Sequence, residues 1–133
     1  MKKKIALITL TVAVIILMLF PGVAMNFSNS YGDTIMKYYS YFNPMPIGYG
    51  NWFPILTAIF SIIVLILHIK SIKRGALIWQ SICVVASLMA WVPLVSANGL
   101  LNVTVFGVMI SVVHIVAVIF QIIFYKFGTE VKR

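Results

Sequence analysis

Two side chains inside the long apolar stretches of this sequence could take part in chemistry, the imidazole of His114 and the thiol of Cys83. Imidazole and thiolate groups bind zinc and copper, but two ligands alone do not make such a site. His68 ends its own apolar stretch and, if both stretches are helices, lies roughly 15 Å from His114 along the helix axis at 1.5 Å per residue. The sequence therefore predicts no metal site and no cofactor.

Acidic side chains, which serve most sites for hydrolysis or proton transfer, are limited to Asp33 and Glu130. In the topology argued below, these two carboxyl groups lie on opposite sides of a membrane and cannot act as a pair. The sequence also contains no glycine-rich phosphate-binding motif. We therefore predict that the protein is not an enzyme.

Small and polar side chains recur at steps of three and four residues in the apolar stretches, which places each line on one helix face. In lipid, small residues let helices approach closely and polar residues form hydrogen bonds between them. The candidate residues are Ser61, Gln80, Cys83, Ser87, Ser111, His114 and Gln121, and the first stretch offers Ala6, Thr9 and Ala13. We interpret these lines as packing surfaces. The alternative is a polar pathway, but such pathways normally contain an intramembrane Asp, Glu, Lys or Arg, and these stretches have none.

The elements that position these residues follow from composition, because 62% of the 133 residues are hydrophobic and only 9% are charged. Ordinary soluble domains have about 45–50% apolar and about 25% charged residues. The apolar residues form four blocks, 5–24, 52–69, 76–95 and 103–125, each long enough to cross a hydrocarbon core about 30 Å thick. The sequence predicts an all-α membrane protein whose single domain, residues 1–133, is an antiparallel four-helix transmembrane bundle.

Basic residues set the predicted orientation, since nine of the ten Lys and Arg residues fall on one set of block ends. These ends are the N-terminus, the 68–75 turn and the C-terminal tail, whereas the opposite set has only Lys37. The positive-inside rule then places both termini in the cytoplasm and the protein in the cell membrane as a multi-pass protein. The same distribution argues against a nucleic-acid partner, which needs a basic face exposed to water.

The first block has a second interpretation. Three lysines, an apolar run and the small residues before position 25 are also typical of a secretory signal peptide, which would be cleaved after Ala24. The block is slightly long for such a peptide, and its removal would leave three spans. Both interpretations of residues 1–24 remain open at this point.

The first extracytoplasmic loop, residues 25–51, is long for a connection without structure of its own. Its Tyr31-Gly32-Asp33 turn signal predicts a short β-hairpin that pairs Met25–Ser28 with Met36–Phe42. The loop is rich in tyrosine and also contains Phe42. Aromatic side chains are enriched at binding hot spots and rare in disordered linkers. We therefore expect an ordered cap on the outer face whose candidate recognition residues are Tyr38, Tyr39, Tyr41, Phe42 and Tyr49. Alternatively, these rings simply rest on the lipid headgroups.

The segment from Tyr39 to Pro54, followed by a span rich in Ile and Leu, resembles small uncharacterised four-span membrane proteins of Gram-positive bacteria. This resemblance implies a membrane location but no activity or site residues. The long first and short second outer loops also resemble the arrangement of claudin-like tetraspan proteins, whose paired loop cysteines are missing here.

The predicted function is that of a non-catalytic membrane component that binds another membrane protein or assembles with itself, with the lipid bilayer as its surroundings. The spans offer packing surfaces and no strongly reactive group. The alternative is a small channel, a transporter subunit or a holin-like pore formed by oligomers.

Overall fold

The computed structural model describes residues 2–28, 30–48, 51–91 and 104–130. Within these ranges the chain is mostly helical, with five helices and one antiparallel pair of strands. In chain order the elements are α1 (Lys2–Leu17), β1 (Val23–Ser28), β2 (Thr34–Tyr39), α2 (Met45–Gly48), α3 (Phe53–Ile69), α4 (Lys73–Met89) and α5 (Val105–Glu130).

Helix α1 is shorter than the first apolar block of the sequence, which extends to residue 24. The helix ends at Leu17, and the N–H groups of Leu19 and Phe20 bond three residues back, which tightens the last turn. Pro21 follows, and the chain then enters β1, where Ala24 lies within the strand. Hydropathy does not separate these two parts because the strand residues Val23 to Met25 are as apolar as the helix before them.

The two strands form a hairpin with Val23 opposite Tyr39 and Ser28 opposite Thr34. A hairpin was predicted in this loop, but its second strand begins two residues earlier and ends three residues earlier than expected. The connecting turn contains Gly32 at φ 87°, a left-handed conformation that glycine adopts without steric cost. This turn sets the register, so Tyr41 lies after the strand rather than in it.

Local sequence signals account for the ends of α3. Pro54 occupies the first turn, where the N–H that proline lacks has no helical partner in any case. At the other end, Ser71 N–H bonds to His68 O and Ile72 N–H bonds to Leu67 O, which is the pattern of a Schellman motif. Ser71 takes the left-handed position of this motif, with φ 61°, where glycine is usual.

Each of the four long helices packs against two of the others: α1 and α4 each contact both α3 and α5. Contacts between opposite ends show that the neighbours are antiparallel. Lys3 lies over the Phe124 ring, and Phe20 stacks on Phe106 at the other end of the same pair, α1 and α5. We call the end with the start of α1, the 70–73 turn and Tyr125 the basic end, and the opposite end the hairpin end.

The main apolar core lies at the hairpin end, where β1 and the residues after β2 cover α1 and α5. It contains Val14, Met18, Val23, Tyr41 and Ile110, all of which are buried. The bond from Gly22 N–H to Tyr39 O continues the hairpin ladder by one step, and the bond from Tyr41 N–H to Met18 O ties the hairpin to the turn that follows α1. The hairpin is therefore part of the packed structure.

One stretch of the described helices, Val105–Tyr125 of α5, is both long and apolar enough to cross a membrane, with 21 residues and a mean hydropathy of 2.5. Helix α3 is apolar but has 17 residues.

Candidate functional site

A cluster of polar side chains lies between α3, α4 and α5, away from solvent. The amide nitrogen of Gln80 donates to His114 Nδ1 at 2.6 Å, and Ser61 Oγ lies 3.4 Å from His114 Nε2. Because an amide nitrogen only donates, the neutral ring then has its proton on Nε2, facing Ser61. The Ser61 hydroxyl donates onward to the carbonyl oxygen of Thr57 at 2.7 Å. Three helices are therefore joined by one chain of hydrogen bonds, which we call the polar cluster.

Cys83 lies at the edge of this cluster, with its sulfur 3.9 Å from Ser61 Oγ. The thiol is fully buried. Within the described residues, no three side chains of His, Cys, Asp or Glu come together as they would around a metal ion. The geometry therefore brings an imidazole, a hydroxyl and a thiol into one place without completing a familiar metal site.

A second polar pair lies nearer the basic end, where the amide nitrogen of Gln121 is 3.4 Å from His68 Nε2. Gln121 and Gln80 are both buried, and the side-chain oxygen of each finds no hydrogen-bond partner within the described part of the chain. Buried polar atoms usually have a partner. These two oxygens are therefore the strongest structural sign of unused hydrogen-bonding capacity in the interior.

The remaining predicted interior residues, Ser87 and Ser111, are also buried. Ser111 accepts a hydrogen bond from the indole N–H of Trp91 at 3.1 Å, and Ser87 donates to the carbonyl oxygen of Val84 within its own helix. All seven predicted polar and packing residues thus face the interior. Four of them, Ser61, Gln80, Cys83 and His114, meet in the polar cluster.

The packing face expected on α1 is wrong. Ala6, Thr9 and Ala13 are exposed, and the helix buries a different face made by Leu7, Thr11, Val14 and Met18. Thr11 satisfies its hydroxyl on the carbonyl oxygen of Leu7, so it needs no neighbouring helix. Where apolar residues surround a helix, small-residue spacing alone does not identify the packed face.

The tyrosines proposed for recognition have different environments. Tyr38 is 56% exposed, whereas Tyr39 and Phe42 are half-buried, and the Tyr39 ring contacts that of Phe27 edge-on. Tyr41 is fully buried and is not available to a partner, because its ring fills the space beside Gly22. Tyr49 lies outside the described residues.

Strand β2 supplies exposed apolar residues that sequence reasoning missed. Ile35 is 50% exposed, Met36 is also exposed, and Tyr31 in the preceding turn is 92% exposed. Thr34 to Tyr38 are exposed on both faces of the strand, so the usual alternation of buried and exposed positions is absent. We call Tyr31, Ile35, Met36 and Tyr38 the hairpin surface.

The base of the hairpin is attached to α5 by a close contact that sequence reasoning also missed. The Thr104 hydroxyl donates to the carbonyl oxygen of Gly22 at 2.8 Å and accepts from the Gly107 N–H at 3.0 Å. A Cβ atom at position 107 would lie 2.6 Å from the same Gly22 oxygen. Glycine is therefore required at this contact.

Comparison of the chain with known protein families, curated proteins and solved structures finds no match in any of the three. The resemblance to small four-span proteins of Gram-positive bacteria remains a prediction from the sequence.

Proposed function

We propose that the protein spans a membrane four times, through α1, α3, α4 and α5, with the outward faces of these helices in contact with lipid. The polarity of the helix faces supports this placement. Beyond the lysines and arginine at the helix starts, most exposed positions along all four helices are apolar, as at Ile16, Ile62, Ile82, Val112 and Ile119, while the polar cluster is buried. A soluble protein has the opposite distribution, since water favours polar side chains on the outside.

Helix length is compatible with this placement. Helices α3 and α4 have 17 residues each, which span about 26 Å at 1.5 Å per residue. This is slightly less than the roughly 30 Å hydrocarbon core of a typical bilayer. Short spans are accommodated by local thinning of the bilayer and by flanking lysines that extend to the headgroups. Lys2 to Lys4 form the first turn of α1 and Lys70 follows α3, so these lysines lie where they can extend to the headgroups.

The proposed role is non-catalytic binding of another membrane protein, or of a second copy of the chain, through the hairpin surface. The single observation that carries this role is the exposure of Ile35, Met36 and Tyr38 on a strand that otherwise belongs to the packed cap. Met36 and Tyr38 lie on one face of the strand and Ile35 on the other, and groups of exposed apolar side chains commonly mark interaction sites. Tyrosine adds a ring with a polar end, as is common at interfaces.

Photo-crosslinking in native membranes tests this role. A photoreactive amino acid at Met36 should give a discrete adduct, and Ile35→Ser with Tyr38→Ser should abolish it. Lys37→Gln, which is also exposed on the same strand, is the matched control and should leave the adduct unchanged. Adduct formation that survives the double substitution would exclude the hairpin surface as the binding site.

An oligomeric channel, transporter subunit or holin-like pore is the second candidate function. The observation in its favour is the pair of unpartnered oxygens on Gln80 and Gln121 along the interior. A half-turn of the Gln80 amide would place its oxygen at His114 Nδ1, where it would favour the neutral tautomer with its proton on Nδ1 and leave Nε2 to accept a hydrogen bond from Ser61. The orientation of one buried amide would therefore set the tautomer of His114.

Flux measurements on purified protein in liposomes separate the two candidates. A channel or relay should conduct selectively and lose conduction in His114→Ala and in Ser111→Leu, because both changes remove polar atoms from the interior. Ser81→Leu, on the exposed face of α4, is the control and should conduct normally. The absence of flux above that of empty liposomes would contradict the channel.

A further inference from the structure

The basic end contains a cavity of about 110 Å³ between the start of α1, the end of α3, the start of α4 and the last described side chains of α5. A single buried water needs roughly 10–15 Å³ by a comparable measure, so the cavity has room for a larger group. Its polar lining includes Lys3, Lys4 and Lys73. None of the described residues that line it is acidic. We call this cavity the basic pocket.

The wall of the basic pocket is fixed by specific bonds. Lys4 Nζ donates to the carbonyl oxygen of Ile69 at 2.7 Å and to Ser71 Oγ at 2.9 Å. The Ile69 carbonyl is in the last turn of α3, where a cation is favourable. Ser71 occupies the left-handed position at a conformational cost that glycine would avoid. Unlike glycine, it supplies a hydroxyl that holds the Lys4 ammonium at the pocket.

The other walls make the pocket amphipathic. Lys3 lies over the Phe124 ring, with its nitrogen 5.4 Å from the ring centre. The Tyr125 hydroxyl donates to the carbonyl oxygen of Lys73 at 2.9 Å and ties α5 to the start of α4. Leu7, which is buried, and Leu67, which is half-buried, provide apolar lining. Exposed lysines and apolar side chains that line the same cavity match a ligand with an anionic head and a hydrocarbon body.

We propose that the basic pocket binds the phosphate group of an anionic membrane phospholipid. Lys3 and Lys73 contact the phosphate oxygens, Lys4 contributes its charge from the wall, and Leu7, Leu67 and Phe124 lie against the apolar part of the lipid. This inference rests on the proposed membrane placement, which puts the basic end at the cytoplasmic headgroup level. Basic pockets between membrane helices at this level are suited to phospholipid headgroups.

Lipid retention in nanodiscs tests the proposal with two matched double variants. Lys3→Gln with Lys73→Gln removes two cations from the pocket lining, while Lys2→Gln with Lys70→Gln removes two cations from the same end outside the lining. Mass spectrometry then measures phosphatidylglycerol retained from discs that also contain phosphatidylcholine. Wild type and the Lys2/Lys70 variant should retain phosphatidylglycerol equally, and the Lys3/Lys73 variant should bind it roughly tenfold more weakly per lysine.

The remaining outcomes are also decisive. Equal loss of retained phosphatidylglycerol in both double variants would show that general surface charge holds the lipid, and would overturn the pocket. Unchanged retention in both variants would overturn it as well. Inorganic phosphate added to protein in phosphatidylcholine discs should not raise the unfolding temperature. If it does, while phosphatidylglycerol is not retained, the ligand is a soluble phosphate and the lipid assignment is wrong. Failure of the wild type to enter discs would overturn the membrane placement and the pocket together, whereas normal insertion isolates the pocket.

Discussion

The Tyr41 ring anchors the hairpin on the helices, yet its hydroxyl group lacks a hydrogen-bond partner among the described residues. Its ring is fully buried in the core at the hairpin end, and the space it occupies exists because residue 22 is glycine. Burial also raises the pKa of Tyr41 above the usual value for tyrosine, because the phenolate would be cut off from water.

Tyr41→Phe should therefore stabilise the protein by up to about 1 kcal/mol at neutral pH, since it removes a buried polar group without changing the packing. Tyr41→Ala should destabilise it by about 3–5 kcal/mol through the cavity it creates. Thermal unfolding in detergent measures both changes. A loss of stability in Tyr41→Phe would show that the hydroxyl has a partner.

The burial of Tyr41 also predicts that stability depends on pH. The folded protein holds the Tyr41 proton more tightly than the unfolded protein does. The contribution of the protonated Tyr41 to the free energy of unfolding is therefore complete below pH about 10 and decreases as the pH rises further. Wild type should keep its stability relative to Tyr41→Phe up to about pH 10 and lose it progressively above about pH 10. Parallel behaviour of the two proteins over this range would contradict a buried, proton-retaining Tyr41.

At the scale of elements, the approach of α5 to the base of the hairpin depends on Gly107. The nearest atom that an added Cβ would meet is the backbone oxygen of Gly22, which cannot rotate away as a side chain would. Gly75 in the first turn of α4 is different, because its Cβ would meet a methyl group of Ile72 at 3.2 Å. The two glycines therefore test close packing and helix propensity separately.

Gly107→Ala should destabilise the protein by about 1–3 kcal/mol, the usual range for overpacking. Gly75→Ala should be neutral or stabilising by about 0.5–1 kcal/mol, because alanine loses less backbone entropy in a helix. Unfolding temperatures of both variants in the same detergent give the comparison. Equal effects of the two substitutions would mean that the contact between α5 and Gly22 does not limit the packing.

Sequence reasoning identified the elements better than their contacts. The apolar blocks located α3, α4 and α5, and the turn signal at Gly32 located the hairpin, because both depend on residues close together in the chain. The burial of Tyr41 depends on Gly22, and the position of the Gln80 amide depends on His114, 34 residues away. Such contacts are set by the packing of several elements, and neither hydropathy nor spacing contains that information.

At the scale of the whole molecule, the described basic side chains are concentrated at one end, with Lys37 in the hairpin as the exception. The formal net charge is +8, and the bonds from Lys4 to Ile69 and from Tyr125 to Lys73 bring the start of α1, the α3–α4 turn and the last turns of the apolar part of α5 together there. A membrane protein with this arrangement should insert with the basic end in the cytoplasm.

Reporter fusions test this orientation. A periplasmic or extracellular reporter should be active after residue 98 and inactive after Ser71 and at the C-terminus, because only the first position lies on the predicted outer side. A cytoplasmic reporter should give the reverse pattern. A cytoplasmic signal after residue 98 would be incompatible with four spans in this orientation.

The bond from Thr104 to Gly22 has a mechanical consequence. Force applied to the hairpin reaches α5 directly through this bond and the backbone contact at Gly107, without passing through a flexible connection. Ser111 and His114 lie on the inner face of the same helix, and His114 is roughly 15 Å along it from Thr104 at 1.5 Å per residue. Helix α5 thus contacts the hairpin at its first turn and contributes His114 to the polar cluster near its middle. If a partner displaces the hairpin, the imidazole moves with it, and by reciprocity the hydrogen bonds of that imidazole would alter the affinity for the partner.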